Sequence, residues 1–394
     1  MQEKIDEILS RGVAEVIGLD RLRARLLSGE KLRIKLGVDP TSPNIHLGRA
    51  VSLLKLRDFQ NLGHTIVFIV GDFTGVVGDT SDKESERPML SQESVHHNMQ
   101  SYLSQMAKLL DMEKVEVHYN SEWLGTLGYG EIGEQADQFS VAEFIARDNI
   151  KKRLDAGKRV SLREMLYPLM QGYDSVMVKA DVEIGGTDQR FNILAGRKMQ
   201  SHYKQEPQDI LLTNLILGTD GRKMSSSWGN TINLFDNVQD MFGKVMSTPD
   251  ELIVGYLVHC TRVSMKEIAK IAEGIVTGSL NPRDAKLRLA KEIVTIYHSV
   301  KDADEAESYF INTFSKKSTP TDVLEITVKV GDKFIDVIAQ NNLAESKGDA
   351  RRKIEQGGVS LEGEKLFADA LVSEADDKKV LKVGKKDFVR IVIG

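Results

Sequence analysis

Cysteine is almost absent: Cys260 stands alone among 394 residues, which excludes an internal disulfide and any zinc site built from several thiolates. Long apolar runs are missing too. None approaches the roughly 20 residues that a membrane-spanning helix needs. The N-terminal MQEKIDEILSRG is charged and patterned as an amphipathic helix, not as a signal peptide. Neither sign of charge dominates: the formal net charge is −5, so nucleic acid could be held only by a local basic surface. Two nucleotide-binding signatures are also lacking. There is no G-x-x-x-x-G-K-[ST], and GDFTGVVGD (71–79) does not fit G-x-G-x-x-G. Together these absences predict a cytoplasmic protein with no membrane partner and no P-loop.

What is present reads as two or three domains with ordinary globular composition. LRIKLGV (32–38) and TIVFIV (65–70) are short, near-continuously apolar runs, as expected of parallel strands buried on both faces. Between them LGRAVSLLKLRDFQNLG has apolar residues at helical spacing and stops at Gly63. Strand, helix, strand within 40 residues predicts a βαβ unit and a parallel sheet. A glycine-rich loop (71–88), a helix over about 91–111 and a strand at VEVHYN (115–120) follow. Residues 121–180 are mostly helical, with a capping box at SLRE (161–164). VEIGGTDQR (182–190) reads as strand, glycine turn and helix start. DILLTNLIL (209–217) reads as a strand leading to the polar loop GTDGRKMSSSWGN, and 248–310 as helical. SKKSTPTD (315–322) reads as a linker, and the last sixty-odd residues as a small α+β module.

Three polar loops follow strands: 39–49, 71–88 and 185–190. In an open α/β sheet ligands bind beyond the carboxyl ends of the strands, so these loops are expected to converge on one site. In DPTSPNIHLGR (39–49), His46, Gly48 and Arg49 open a helix, where free N–H groups attract phosphate. Taken alone, HLGR fits an ordinary first turn equally well. Asp188, after Gly185 and Gly186, could bond ribose hydroxyls, although an N-cap is the simpler reading of that aspartate alone. Tyr167, Gln171 and Asp174 share one face of a helix among apolar neighbours, and a buried aspartate needs a partner. KMSSS (223–227) by itself fits any solvated loop. His96 and His97 lack metal-ligand companions, and Cys260 is expected to be a packed thiol.

In combination these segments carry more. HLGR resembles the HIGH motif of class I aminoacyl-tRNA synthetases and KMSSS their KMSKS loop, in the family's order. YPLMQGYD (167–174), GGTDQRFN (185–192) and GDTSDKESER (78–87) resemble tyrosyl-tRNA synthetases in particular, and FIDVIAQNNLAESKGDARRKIEQGGVSLEGEKL resembles an S4 RNA-binding domain. The resemblance spans essentially the whole chain. It implies a class I Rossmann-like parallel sheet and ATP-dependent attachment of tyrosine to tRNA. The partners implied are L-tyrosine, ATP and tRNA(Tyr), in a homodimer. Mg2+ would accompany the nucleotide, with no tightly bound metal.

Residue by residue, the resemblance assigns Asp174 to the substrate hydroxyl, Asp79, Tyr167 and Gln171 to its amino group, and Gln189 to the substrate side. Thr41, His46 and Arg49 would face ATP, with Gly37, Asp39, Gly48, Gly186 and Asp188 around the nucleotide. Lys83, Arg87 and Lys223 would clamp the pyrophosphate, with Met224, Ser225 and Ser226 beside it. Lys347, Arg351, Arg352 and Lys353 fall within two turns of one helix and supply a local basic surface for RNA.

Three positions depart from the usual pattern: Arg49 where histidine is common, Ser226 where lysine is common, and Lys35 where the best-known bacterial branch has tyrosine. The expected layout is a nucleotide-binding domain over 1–240, with a helical insertion at about 121–180. A helical domain over 241–318, a linker over 319–330 and an S4-like domain over 331–394 follow. Three rival readings are a tryptophan-specific relative, an RNA-binding protein that has lost its chemistry, and a free-standing nucleotidyltransferase. Asp174 with Tyr167 and Gln171 and the S4-like tail weigh against the first, intact Asp79, His46, Asp188 and Asp174 against the second, and length and the RNA-binding tail against the third.

Overall fold

The computed structural model describes residues 1–80, 89–315, 323–384 and 387–394, in two compact units, Met1–Asp304 and Glu305–Gly394. Lys83 and Arg87 therefore lie outside the described residues.

The first unit is built on a six-stranded sheet in the order β1-β6-β5-β2-β3-β4. The strands are β1 (Val13–Ile17), β2 (Arg33–Val38), β3 (Thr65–Val70), β4 (Val115–Tyr119), β5 (Val182–Gly186) and β6 (Asp209–Thr213). All pairings are parallel except β1 with β6. The apolar strands are buried as their composition demands: Ile66 to Val70 are at most 1% exposed. The Leu47–Asn61 helix buries Leu47, Ala50, Val51, Leu53, Leu54, Leu56 and Phe59. Gly63, at φ +82°, takes the left-handed conformation that ends it. The long helix Leu162–Met177 starts at the expected capping box. Ser161 accepts from the backbone, and Glu164 returns to the Ser161 N–H. From Val238 onward the first unit continues in helices, and the Ile253–Cys260 helix packs on Leu47–Asn61. Cys260 is 1% exposed, and burial pushes its thiol up to about 12.

The second unit carries a five-stranded sheet, β7-β11-β10-β8-β9. Its strands are β7 (Leu324–Val328), β8 (Val359–Leu361), β9 (Glu364–Lys365), β10 (Val380–Val383) and β11 (Asp387–Ile393). Helices Phe334–Gln340 and Lys347–Glu355 contribute Phe334, Val337, Ile338, Ala350 and Ile354 to its core.

Several elements differ from the sequence expectation. β1 is an unanticipated edge strand, half-buried and without strong apolar patterning. The loop after β3 begins with a short helix, Asp72–Val77. The helix expected over 91–111 is broken into Gln92–Met99 and Tyr102–Met106. β6 stops at Thr213, four residues early. Residues 324–328, assigned to a linker, form β7, whose parallel pairing with β11 makes them part of the second sheet.

Candidate active site

β2 leads to β3 and β4 on one side of the sheet, while β5 and β6 lie on the other. The loops leaving β2 and β5 therefore diverge, and a crevice opens between them. A cavity of about 280 Å³ sits there. The end of β2 supplies Gly37, the loop after it Asp39, Thr41 and His46, and the first turn of the Leu47–Asn61 helix Gly48 and Arg49. The Leu162–Met177 helix supplies Tyr167, Gln171 and Asp174. Asp79, Gly186, Asp188 and Gln189 line it as well, as do Lys223, Met224, Ser225 and Ser226. The described parts of the three polar loops converge, and every described site residue assigned to this unit lines the cavity.

At one end is Asp174, 3% exposed. Its Oδ1 accepts from Trp123 Nε1 at 2.8 Å, and its Oδ2 from Asn120 Nδ2 at 3.3 Å. Burial pushes its carboxyl up to about 7, opposed by the charge of Lys35 and by those two hydrogen bonds. Nearer the middle, the Tyr167 hydroxyl donates to Asp39 Oδ2 at 2.8 Å, while Thr74 donates to Asp39 Oδ1 at 2.7 Å. Desolvation raises the Asp39 carboxyl to about 6 against these bonds. A Cβ on Gly71 would fall 2.1 Å from Asp39 Oδ1, so only glycine lets the end of β3 pass this carboxylate. Asp79 accepts from Gln189 Nε2 at 2.7 Å and from Asn192 Nδ2 at 3.4 Å. The turn that carries it is tied down by Thr80. Its hydroxyl donates to Glu164 at 2.6 Å, and Glu164 is paired with the buried Arg153.

The other end is cationic. Arg49 donates to Tyr102 Oη at 2.8 Å, Thr41 Oγ1 at 2.9 Å and the Asp39 carbonyl at 3.3 Å, clamping the first loop. Burial, then Arg49 and Lys223, push the His46 imidazole down to about 3, so it is neutral at pH 7. The helix start offers fewer free donors than the sequence suggests. The Leu47 N–H bonds the Ile232 carbonyl at 2.8 Å, and the Gly48 N–H faces Met224 Sδ at 3.3 Å. A Cβ on Gly48 would sit 3.0 Å from the His46 ring, so the glycine keeps this contact open. Lys223 Nζ bonds Asp188 Oδ2 at 2.9 Å. The KMSSS segment is pinned: Asn230 accepts from the Ser225 N–H at 2.9 Å and donates to Asp220 at 2.7 Å. Ser226 Oγ lies 3.4 Å from Ser42 Oγ, linking this segment to the first loop.

Sequence reasoning missed Asn120, Trp123 and Thr74, none of which lies in a segment that carried the resemblance, and Asn192, which closes GGTDQRFN but was given no role. Lys35, noted only as standing where another bacterial branch has tyrosine, takes a place that the sequence left open. The Lys35 side chain does not line the cavity; it is fully buried and bonds Glu183 at 3.0 Å. Among the described residues no group of three or more histidine, cysteine, aspartate or glutamate side chains could hold a metal ion.

In the second unit, Lys347, Arg351 and Arg352 are well exposed and Lys353 partly so. They pair with Asp336, Glu355 and Asp349, at 2.8 to 3.3 Å. Such surface pairs are worth about 0–1 kcal/mol.

Residues 27–315 match the family model described as tRNA synthetases class I (W and Y). A tyrosine–tRNA ligase from Moorella thermoacetica is 44% identical over 98% of this chain and 94% of its own length. One from Thermotoga maritima is 42% identical over 98% and 96%. Among solved structures, a C-terminally truncated Aspergillus nidulans mitochondrial tyrosyl-tRNA synthetase superposes with a TM-score of 0.66. It is 24% identical, covering 79% of this chain and 94% of that one. Tyrosyl-tRNA synthetase from Archaeoglobus fulgidus, complexed with L-tyrosine, gives a TM-score of 0.61 at 23% identity, covering 77% and 99%. The shared sheet and the near-complete overlap with these ligases leave one conclusion: the chain belongs to the class I tRNA synthetases of the tryptophan and tyrosine family.

Proposed function

We propose that this protein attaches L-tyrosine to tRNA(Tyr) in two ATP-dependent steps. The observation that carries the choice of tyrosine is Asp174, a buried carboxylate in the cavity lining, where a phenolic hydroxyl would donate to it. The ammonium group would meet three acceptors for its three N–H groups: Asp79, Gln171 and the Tyr167 oxygen, whose proton already goes to Asp39. Gln189 orients Asp79.

In the first step a tyrosine carboxylate oxygen attacks the α-phosphorus of ATP. The bond to the β-phosphate bridging oxygen breaks, and pyrophosphate leaves. No protein nucleophile or base is required; positioning and charge neutralisation supply the catalysis. Thr41, neutral His46 and Arg49 serve the phosphates, Gly37, Gly48 and Gly186 border the nucleotide, and Asp39 lies beside the adenylate. Asp188 would take the ribose hydroxyls, which frees Lys223 for the pyrophosphate with Met224, Ser225 and Ser226 alongside. Lys83 and Arg87 are assigned to the same clamp by resemblance alone. Mg2+ enters as the companion of ATP, with no dedicated ligand set and no step routed through it. In the second step a hydroxyl at the tRNA 3′ end attacks the tyrosyl carbonyl carbon, and AMP leaves.

The proposed layout is a catalytic domain to about 240, with an insertion at about 121–180 and a helical domain to about 318. An S4-like RNA-binding module, which includes β7, follows. Its helix cations Lys347, Arg351, Arg352 and Lys353 would contact phosphates. A homodimer is proposed through the insertion, whose helices leave Tyr129, Val141, Leu162 and Leu166 exposed.

ATP–pyrophosphate exchange with tyrosine, phenylalanine and tryptophan offered separately tests the reading. Exchange with tyrosine alone is expected. Exchange driven by tryptophan would transfer the assignment to the sister specificity, and no exchange from folded protein would end the catalytic reading. A second expectation concerns the departure at Ser226. One cation absent about 4 Å from phosphate is worth on the order of 4 kcal/mol at an effective dielectric of about 20. If Lys83, Arg87 and Lys223 supply that charge, Ser226→Lys will raise the single-turnover rate of adenylate formation less than about tenfold, since one decade is about 1.4 kcal/mol. A larger gain would show that the clamp is short of charge.

A further inference from the structure

Lys35 and Glu183 face each other in register across β2 and β5. Both are buried, at 0% and 1% side-chain exposure. Lys35 Nζ gives all three of its protons: to Ser175 Oγ at 2.7 Å, Glu183 Oε1 at 3.0 Å and the Gln171 carbonyl at 3.0 Å. Glu183 also accepts from Gln171 Nε2 at 3.1 Å, Ser175 Oγ at 3.0 Å and Gln208 Nε2 at 2.5 Å.

A buried ion pair is a poor stabilising device, because apolar residues of similar volume hold a core as well or better. What distinguishes this pair is its neighbours. With its amide nitrogen committed to Glu183, Gln171 has its Oε1 left as an acceptor for a ligand. Ser175 adjoins Asp174 in the chain, and the field of the pair acts on that carboxylate from both signs.

We propose that the buried Lys35–Glu183 pair is the positioning element of the amino-acid pocket. It fixes the amide orientation of Gln171 and balances the charge felt by Asp174. This rests on the assignment of the cavity to tyrosine. The titratable groups around Asp174 are Lys35 on β2, Glu183 on β5 and Tyr167 on its own helix, with Asp39 and Asp79 across the cavity. Asn120 and Trp123, from the segment after β4, do not titrate.

The test is pyrophosphate exchange against tyrosine concentration, ATP concentration and pH, on the full chain. In the unmodified protein, kcat/KM for tyrosine should fall on the acid side of about pH 7, where Asp174 takes a proton. Lys35→Met is expected to move this limb up by about one pH unit and Glu183→Gln to move it down by about one, since a neighbouring charge shifts a carboxyl by about 1–3 units. Both should raise KM for tyrosine about tenfold, the value of one hydrogen bond of about 1.4 kcal/mol, with KM for ATP changing less than twofold. Damage to the fold cannot shift the limb in opposite directions. Shifts of the same sign, no shift, or an equal rise in both KM values overturn the proposal. If a single variant does not fold, Lys35→Met/Glu183→Gln decides. The unmodified limb with a raised KM for tyrosine supports the pair's role, and an unmodified KM refutes it. Asp174→Asn is the control for the pocket itself. If it leaves KM for tyrosine and the limb as they were, the pocket assignment fails. If it changes them while the Lys35 and Glu183 variants do not, only the present proposal fails.

Discussion

Replacing Asp174 with asparagine should cut the preference for tyrosine over phenylalanine by about one to two orders of magnitude. The carboxylate is enclosed by Asn120, Trp123 and apolar walls, so a phenol hydroxyl that enters finds a charged acceptor and no bulk water. A phenylalanine ring leaves that acceptor without a ligand partner, and a buried polar group deprived of its partner is where discrimination originates. Sites that bond a substrate hydroxyl reject the analogue lacking it by about 10⁴–10⁵, a range for which tyrosyl-tRNA synthetases discriminating against phenylalanine are themselves the known case. A hydrogen bond to a charged group is worth about 1.5–3 kcal/mol, so Asp174→Asn is expected to lower kcat/KM for tyrosine by roughly 10- to 150-fold. The change for phenylalanine should be small. Pyrophosphate exchange with both amino acids measures the ratio. A ratio unchanged within threefold would show that the hydroxyl is read elsewhere.

Lys223→Ala is expected to slow adenylate formation by about 10²–10³, the loss seen when one group that stabilises developing charge is removed. Tyrosine affinity should stay the same, because Lys223 lies at the nucleotide end with Asp188. Rapid-quench measurement of the first turnover, with tyrosine binding followed separately, resolves the two effects. A variant whose tyrosine affinity falls in step with its rate would place Lys223 in the amino-acid pocket. The ligand-free ion pair bears on the size of the effect. Removing Lys223 also releases Asp188, so part of the lost catalysis is offset by a ribose acceptor that no longer has to be freed.

The residues around the nucleotide were legible because they come in short segments whose chemistry conflicts with a plain connector. HLGR puts an imidazole and a guanidinium at a helix start, and KMSSS puts a lysine and hydroxyls after a buried strand. The Tyr167, Gln171 and Asp174 face was legible from helical spacing within an otherwise apolar helix. The partners of Asp174 were not, because Asn120 and Trp123 lie some fifty residues away and reach it only through the fold. β1 was missed for a related reason: a half-buried edge strand shows little alternation. Lys35 and Glu183 left a visible trace, each a charge set between apolar residues of a strand. Their pairing depends on strand register, which periodicity does not supply.

That register has an evolutionary consequence. A lineage that changes Lys35 alone strands a buried carboxylate, and one that changes Glu183 alone strands a buried ammonium. Breaking one side of such a pair costs about 3–5 kcal/mol, a large share of the roughly 5–15 kcal/mol by which a domain is stable. The two positions are therefore expected to change together. A change of Lys35 to an uncharged residue is expected to need a second change at Glu183 or a compensating stabilisation elsewhere.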